Sequence, residues 1–391
     1  MHTQYRQTVS TLIPRTGQMD HASPWPGLPG RLRFSSPSGG DDDAFFAALD
    51  LGTNNCRLMI AAQTSDGFRV VDSYSRMVRL GEGLHHTGVL SAAAMDRTMS
   101  ALHSCAERLG RRPIREIRAI ATEACRRATN GRAFLRQVQN ETGVAIDIIS
   151  GREEASLAVE SCSALLHDRR FGQPRNRALL FDIGGGSTEI AWVRTEANRQ
   201  TESLIGYLSL PIGVITLWEQ FGPVSALTDT AYRDMVDYTR SFLQDFENVH
   251  RIGSEIRRKQ TRMIGTSGTV TTLASLILNL PRYARTAVDG TLLPAASARL
   301  AVRKLRQMGL SGIEQHPCIG PDRAPFVLPG CAIFEAIHDV WPVEDVIVAD
   351  RGLRDGMISR MIRSNAPVRR SYRPTAARRH FSTPPMQATG L

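Results

Sequence analysis

The feature that most constrains the fold of this chain is a sharp acidic turn that the sequence contains twice. The stretch FFAALDLGTNNCRLMIA begins at Phe45, and LLFDIGGGSTEIAWV begins at Leu179. In both stretches an apolar run ends at an aspartate, Asp50 or Asp182, a D-x-G turn follows, and a second apolar run begins. A strand–turn–strand unit that is built twice indicates a duplicated domain. It also differs from the strand–turn–helix unit of dinucleotide-binding folds.

Short apolar runs alternate with amphipathic stretches along the body of the chain, which is typical of an α/β protein. The predicted strands are 45–50, 56–62, 68–73, 116–121, 145–149, 178–182, 188–194, 204–209, 261–265 and 345–349. The predicted helices include 91–109, 131–141, 152–166, 228–247, 268–278, 322–340 and 352–362.

The two ends of the chain differ in composition from the body. Residues 1–43 and the basic tail 363–391 lack apolar periodicity, which predicts disordered extensions. Because the duplication implies two units, the natural boundary is the polar segment HDRRFGQPRN, just before the second turn. We therefore expect one domain at 44–167 and a second at 168–362, whose last helix can pack back on the first.

Charge and composition narrow the classes of function. The formal net charge is +10, but the acid-free tail 363–391 holds most of it, so nucleic-acid binding is not predicted. No window has the roughly 18 apolar residues of a membrane span, and the N-terminus lacks the apolar core of a secretory signal. Six cysteines without a C-x-x-C pair are typical of buried thiols in a reducing compartment. The sequence therefore predicts a cytoplasmic protein that does not contact a membrane.

The second turn, DIGGGSTE, contains the residue types of an anion and metal site. The glycines at 184–186 allow positive φ angles and lack Cβ atoms, so several N–H groups can converge on an anion. Ser187 adds a hydroxyl donor, and Asp182 and Glu189 supply carboxylate oxygens that suit Mg²⁺. The alternative is a tight hairpin whose glycines serve only its backbone geometry, and the duplication argues against it.

The first turn has Thr53, Asn54 and Asn55 in place of the glycines, and so offers side-chain donors. Two such turns that face each other could clamp one phosphate chain. A third glycine turn, GTSG, begins at Gly265 before a predicted helix, whose N-terminus favours anions. The hydroxyl residues of this third turn have the alternative role of a helix N-cap.

Six motifs together resemble the Ppx/GppA family of exopolyphosphatases and guanosine pentaphosphate phosphatases. They are DLGTNNCRL, ATEACRRATN, ISGREEA, DIGGGSTE, GTSGTVTTLA and GLRDGM, and they follow the family's order over almost the whole body. The resemblance implies the actin-like ATPase fold of sugar kinases, Hsp70 and actin, with two ribonuclease-H-like domains and the active site in the cleft between them. It also implies hydrolysis of a terminal phosphoanhydride with Mg²⁺ or another divalent cation.

The resemblance assigns roles to individual residues. In ISGREEA the family's catalytic glutamate corresponds to Glu154, which would orient and deprotonate the attacking water, while Glu153 would only favour the helix start. In ATEACRRATN the phosphate-binding arginine corresponds to Arg126, whose guanidinium suits bidentate contact. Arg127 is predicted to be solvated, and Arg79 is a second candidate for the same cleft. The predicted phosphate ligands are Thr53, Asn54, Asn55, Arg126, Gly184, Gly185, Gly186 and Ser187. The predicted metal ligands are Asp50, Asp182 and Glu189.

Two features depart from the family pattern. The family's first turn is D-x-G-S-N-S, so Asn55 replaces a hydroxyl with an amide and alters any contact with phosphate or metal there. The long members also append a helical HD-type domain, and too few residues follow the second domain here to form one. The chain resembles the short, two-domain form, for which the resemblance permits a homodimer.

The sequence leaves three functions open. The leading hypothesis is hydrolytic release of terminal phosphate from inorganic polyphosphate, from the 5′-γ position of guanosine pentaphosphate, or from both. An ATP-dependent sugar or acetate kinase of the same fold would share the turns but not ISGREEA and ATEACRRATN. A non-catalytic polyphosphate or alarmone sensor would have no need of Glu154 close to a polyanion. A P-loop NTPase is excluded because the chain contains no G-K-[ST].

Overall fold

Two mixed β-sheets form the framework of the protein. A computed structural model describes residues 45–196, 201–222 and 228–365. The first sheet contains β1 (Phe45–Leu51), β2 (Asn55–Thr64), β3 (Gly67–Met77), β4 (Ile114–Ala121) and β5 (Asp147–Ile148), in the spatial order β3-β2-β1-β4-β5. The second contains β6 (Arg177–Ile183), β7 (Thr188–Glu196), β8 (Thr201–Leu210), β9 (Thr261–Thr266), β10 (Leu292–Pro294) and β11 (Asp345–Ala349), in the order β10-β11-β9-β6-β7-β8.

Helices cover both sheets. Within the described ranges they are α1 (Leu84–Thr87), α2 (Ala92–Gly110), α3 (Glu123–Arg127), α4 (Gly131–Thr142), α5 (Gly151–Leu166), α6 (Val214–Phe221), α7 (Asp229–His250), α8 (Ile252–Arg257), α9 (Gly268–Ile277), α10 (Arg285–Val288), α11 (Ala295–Glu314), α12 (Ala324–Val340) and α13 (Leu353–Asn365). Gly309 has a non-helical backbone conformation and kinks α11.

The two sheets repeat one plan, as the duplicated turns suggest. In the first, β1 pairs antiparallel with β2, which pairs antiparallel with β3, and the other edge of β1 pairs parallel with β4. In the second, β6, β7 and β8 form the same antiparallel meander, and β6 pairs parallel with β9. Each acidic turn therefore joins the first two strands of a meander. The neighbouring parallel strand, β4 or β9, ends beside the same turn.

Helices α5 and α13 lie between the two sheets and join them through one apolar core. This core includes Phe46 and Met59 from the first sheet, Leu180 and Ile264 from the second, and Leu157 from α5. Burial of each large apolar side chain stabilises the fold by about 1.5–3 kcal/mol. The last helix, α13, contacts β1 and α5, so it does pack against the first sheet. The division at residue 167 stays a prediction.

All ten predicted strands are present, although 145–149 shortens to Asp147–Ile148, and the predicted helices are present with shifted ends. The prediction did not include β10, the helix α11 or the short helices α1, α3, α6, α8 and α10. These short elements have too few residues for a periodic pattern, and glycine interrupts α11. The predicted disordered segment 1–43 lies outside the described residues. The predicted tail begins too early, because α13 continues to Asn365, and the rest of that tail also lies outside them. Within the described ranges, none of the helices is long and apolar enough to span a membrane.

Candidate active site

The first acidic turn connects β1 to β2. It closes through a hydrogen bond from the Gly52 N–H to the Asn55 carbonyl, 2.9 Å long. Asp50 lies near the end of β1, directly opposite Arg57 in the β1–β2 register. Its side chain is buried, and its Oδ1 atom has no hydrogen-bond partner. The turn therefore places an unsatisfied carboxylate oxygen at the edge of the first sheet.

The second turn has the same construction between β6 and β7. The Gly184 N–H donates to the Ser187 carbonyl at 2.9 Å, and Asp182 lies opposite Glu189 in the strand register. Two N–H groups at the start of α6 bind the backbone of this turn. The Val214 N–H donates to the Gly184 carbonyl, and the Ile215 N–H donates to the Gly185 carbonyl. Hairpin pairing thus brings the two predicted metal ligands of this turn together, while α6 sets the turn's position.

The two turns touch each other. A Cβ atom added to Gly186 would lie 2.6 Å from Thr53 Oγ1, and one added to Gly185 would lie 3.1 Å from Asn54 Cβ. A Cβ at either position would force Thr53 or Asn54 to shift, so these glycines serve the close approach of the two turns rather than a positive φ angle. The prediction that the turns face each other is confirmed, but in this arrangement they are in contact rather than separated by the width of a phosphate.

Glu154 lies in the first turn of α5, which Ser150 caps by accepting a hydrogen bond from the Glu153 N–H. Only 6% of Glu154 is exposed. Its Oε2 atom lies 3.2 Å from NH1 of Arg126, and this is its one ion pair with a described residue. The structure therefore brings together Glu154 and Arg126, which the sequence placed in separate motifs.

The carboxylates of the site raise one another's pKa values. Burial, followed by the charge of Glu189, raises the pKa of Glu154 well above its ordinary value, and Arg126 opposes this effect. Burial and the charge of Asp182 raise the pKa of Glu189 to about 8. Burial also raises the pKa of Asp182 to about 6, although the residue as a whole is only partly buried. Glu154, Asp182 and Glu189 thus lie within electrostatic reach, in a site that favours their neutral forms unless a cation is present.

The donor set suits a hard cation. Asp50 Oδ1 and Asn54 Oδ1 are buried oxygens without hydrogen-bond partners. Burial, and then a neighbouring carboxylate, raises the pKa of Glu189, and burial raises that of Asp182, so both are carboxylates that a cation would stabilise in their ionised forms. In the described ranges, no three His, Cys, Asp or Glu side chains converge closely enough to enclose a metal on their own. This is compatible with Mg²⁺, which keeps several waters and substrate oxygens in its coordination shell.

Arg126 is held more tightly than the sequence suggested. Its Nε and NH2 atoms donate to Glu123 Oε2 at 3.1 and 2.6 Å, and NH1 donates to the Ile149 carbonyl at 2.8 Å and to Glu154. Four of the five N–H bonds that could contact a phosphate are therefore already engaged within the protein. Arg127, predicted to be solvated, is half-buried and lines a cavity of about 10 Å³ with Thr53 and Gly186.

The third glycine turn uses its hydroxyl groups within the protein. Ser267 Oγ donates to the Ile183 carbonyl at 2.6 Å, and Thr266 Oγ1 donates to the Arg351 carbonyl. Ser267 also has a φ of +81°, which is unusual for a residue other than glycine. Its side chain does not cap α9. Ser267 therefore occupies the N-cap position of α9 without a side-chain capping hydrogen bond, and its hydroxyl instead connects the third turn to the second.

Sequence reasoning missed several polar residues near the turns. Arg57 could have been found from hairpin pairing, because it lies opposite Asp50. Glu123 in ATEACRRATN, which pairs with Arg126, gave no signal of its own, and neither did Glu219 of α6. The predicted candidate Arg79 is placed at the first turn by its backbone, whose N–H donates to the Asn54 carbonyl at 3.0 Å, with a φ of +48°.

Comparison with known proteins supports the resemblance to the Ppx/GppA family. The sequence profile of the Ppx/GppA phosphatase family matches residues 59–365. A Haemophilus influenzae protein provisionally named as an exopolyphosphatase is 28% identical over 314 residues, which are 80% of this chain and 90% of that protein. The crystal structure of an Aquifex aeolicus family member has a TM-score of 0.65 at 24% identity, over 83% of this chain and 99% of that one. The structure of an exopolyphosphatase-like protein has a TM-score of 0.73 at 26% identity, with the same coverage.

These similarities agree with the repeated plan of the two sheets. The similar structures are Ppx/GppA proteins, which have the actin-like ATPase fold, so the predicted fold class is confirmed. The family profile begins just after the first turn, at residue 59, and includes Arg126, Glu154 and the second turn. The chain contains two acidic turns and the buried Glu154 near them, and the family profile matches most of its length. The chain therefore belongs to the Ppx/GppA phosphatase family.

Proposed function

We propose that this protein hydrolyses a terminal phosphoanhydride, releasing orthophosphate from inorganic polyphosphate, from the 5′-γ position of guanosine pentaphosphate, or from both. The observation that supports this most directly is the position of Glu154. It is a buried carboxylate at a helix start, paired with Arg126 and within electrostatic reach of Asp182 and Glu189. A protein that only binds a polyanion gains nothing from burying these acids next to it, because they repel the ligand.

Glu154 acts as the general base in this proposal. The charge of Arg126 favours the ionised form of Glu154, which can accept a proton from water as the water attacks the terminal phosphorus. The proton moves to a Glu154 oxygen, the bond from phosphorus to the bridging oxygen breaks, and the shortened chain leaves. Arg126 and the turn residues Thr53, Asn54, Asn55, Gly184, Gly185, Gly186 and Ser187 hold the phosphates.

Asp50, Asp182 and Glu189 would hold a divalent cation, Mg²⁺ in this proposal. When bound, such a cation neutralises phosphate charge and favours in-line attack. The acids must lose their protons to bind it, so protons and the cation compete for Asp182 and Glu189, whose pKa values burial raises in the metal-free protein.

The substrate assignment is supported by the family and by the H. influenzae relative, which carries the exopolyphosphatase name. In this proposal the cleft lies between the predicted domains 44–167 and 168–362. A cytoplasmic location, the absence of nucleic-acid contact and a homodimer remain predictions.

The first experiment is to compare phosphate release by the wild type and by Glu154→Gln. The amide keeps the size of the side chain but cannot accept the proton, so we expect turnover to fall by roughly 10²–10⁴ while substrate affinity stays nearly unchanged. Glu153→Gln is the matched control, because Glu153 is the adjacent acid and pairs instead with Arg118. Wild-type turnover in Glu154→Gln would remove this residue from the mechanism.

A second experiment tests the substrate. The purified protein is given long-chain polyphosphate or guanosine pentaphosphate with Mg²⁺ and no acceptor, and kcat/KM is measured for each. Release of orthophosphate without an acceptor separates a hydrolase from a kinase. Tight binding of both compounds without phosphate release would instead support a sensor.

A further inference from the structure

A second buried acid, Glu123, lies behind the phosphate-binding arginine. It is the first residue of α3, and only 8% of it is exposed. Its Oε2 atom accepts hydrogen bonds from Arg126 NH2 at 2.6 Å and from Arg126 Nε at 3.1 Å. Its other oxygen, Oε1, lies 3.9 Å from Nε of Arg127. Glu123 therefore binds the side of Arg126 that points away from Glu154.

The five N–H bonds of the Arg126 guanidinium can be assigned one by one. The Nε–H and one NH2 hydrogen bind Glu123. The two NH1 hydrogens bind the Ile149 carbonyl at 2.8 Å and Glu154 Oε2 at 3.2 Å. One NH2 hydrogen has no acceptor among the described residues. The Nε and NH2 side of the guanidinium is thus held by Glu123, while NH1 binds Glu154 and one NH2 hydrogen is available to another acceptor.

The two carboxylates do not hold Arg126 equally. Glu123 makes two hydrogen bonds, one of them short, whereas Glu154 makes one at 3.2 Å, near the upper limit for an N–H donor. Hydrogen bonds between charged groups are stronger when they are short and paired. When another anion approaches Arg126, the contact with Glu154 should therefore break first and the contact with Glu123 should persist.

We propose that Glu123 is a positioning residue that anchors Arg126. The NH1 hydrogen bond then moves from Glu154 to the terminal phosphate, which the spare NH2 hydrogen also binds, while the guanidinium stays in place. This exchange frees Glu154 to accept the proton of the attacking water. Without Glu123, the guanidinium would be free to turn its fork onto Glu154 and keep the base paired. The proposal rests on the hydrolase function described above.

A double-mutant cycle tests whether Glu123 acts through Arg126. The variants are Glu123→Gln, Arg126→Gln and the double variant, with kcat and KM measured on long-chain polyphosphate. When Arg126 is present, we expect Glu123→Gln to lower kcat/KM by about tenfold to a hundredfold, mostly through a lower kcat. When Arg126 is already replaced by Gln, the same substitution should lower kcat/KM by less than about twofold. Glu123→Asp, which restores the charge, should recover part of the loss.

Glu153→Gln is the matched control for this cycle, because Glu153 is also an acid paired with arginines, Arg118 and Arg360, but not with Arg126. Its effect should be small in both backgrounds. Additive losses for Glu123 and Arg126, with equal unfolding midpoints, would overturn the positioning role, as would wild-type kcat/KM in Glu123→Gln.

A binding measurement separates failure of this proposal from failure of the hydrolase function. If the wild type released no phosphate, the proposed function would fail, and the same cycle would be run on the Kd for long-chain polyphosphate. Arg126 can hold a phosphate in the right place only if it is anchored, so the loss of affinity in Glu123→Gln should again disappear in the Arg126→Gln background. Additive changes in Kd would show that Glu123 does not act through Arg126.

Discussion

Gly213→Ala should displace the second acidic turn without changing any residue of that turn. Gly213 has φ −132° and ψ −178°, an extended conformation that alanine adopts readily, so the substitution introduces no backbone strain. The added Cβ would lie 2.4 Å from the carbonyl carbon and oxygen of Gly185 and 2.6 Å from the Gly186 nitrogen. All of these are backbone atoms, and they cannot rotate away as a side chain would.

The size of the displacement follows from these distances. Ordinary van der Waals contact begins at 3.4 Å, so the turn and the start of α6 must separate by about 1 Å. The same shift would weaken the hydrogen bonds from the Val214 and Ile215 N–H groups to the turn. A misplacement of about 1 Å can reduce turnover about a hundredfold, and overpacking of this kind costs about 1–3 kcal/mol of unfolding free energy.

The assay measures kcat/KM for phosphate release together with the free energy of unfolding in urea. Gly110→Ala is the matched control, because a Cβ added at Gly110 meets no atom within 4 Å. We expect the control to keep wild-type activity and Gly213→Ala to lose most of it while remaining folded at the assay temperature. If Gly213→Ala had wild-type kcat/KM and wild-type stability, the contact between α6 and the turn would not position the proposed phosphate site.

Two further predictions concern the cation and the contact between the two halves of the site. Without a divalent cation, the raised pKa values of Asp182, about 6, and Glu189, about 8, mean that the folded protein binds more protons than the unfolded chain between about pH 4 and pH 8. The free energy of unfolding should therefore fall as pH rises through this range in chelator, and Mg²⁺ should stabilise the protein most near pH 8; equal urea-unfolding curves with and without Mg²⁺ at that pH would contradict the metal assignment. Glu219 of α6 accepts a hydrogen bond of 2.7 Å from the N–H of Gly83, the residue just before α1, so Glu219→Ala should speed hydrogen exchange at the Gly83 amide. Unchanged exchange at Gly83 would mean that Glu219 does not hold the two sides together.

Much of the framework was predictable because it depends on local sequence patterns. A D-x-G turn between two apolar runs predicts a hairpin, and strand pairing then places Glu189 opposite Asp182 without further information. The second glycine turn likewise follows from residue type, since only glycine lets the chain approach Thr53 and Asn54 so closely. Missed elements such as α11 lack a clean period, because Gly309 interrupts it and tertiary packing sets its conformation.

The sequence by itself determined the duplicated acidic turns, the α/β class and the family, because periodicity and short motifs report residues that are neighbours along the chain. Only the tertiary structure decided which carboxylates share one site, that Arg126 lies between Glu123 and Glu154, and that the two turns touch. The physical reason is that burial, and contacts such as Glu154 with Arg126 and Gly186 with Thr53, depend on distances between residues far apart in the chain. Glu154 has an ordinary glutamate side chain in the sequence, and its pKa is raised only when folding buries it near Glu189, an effect that Arg126 opposes.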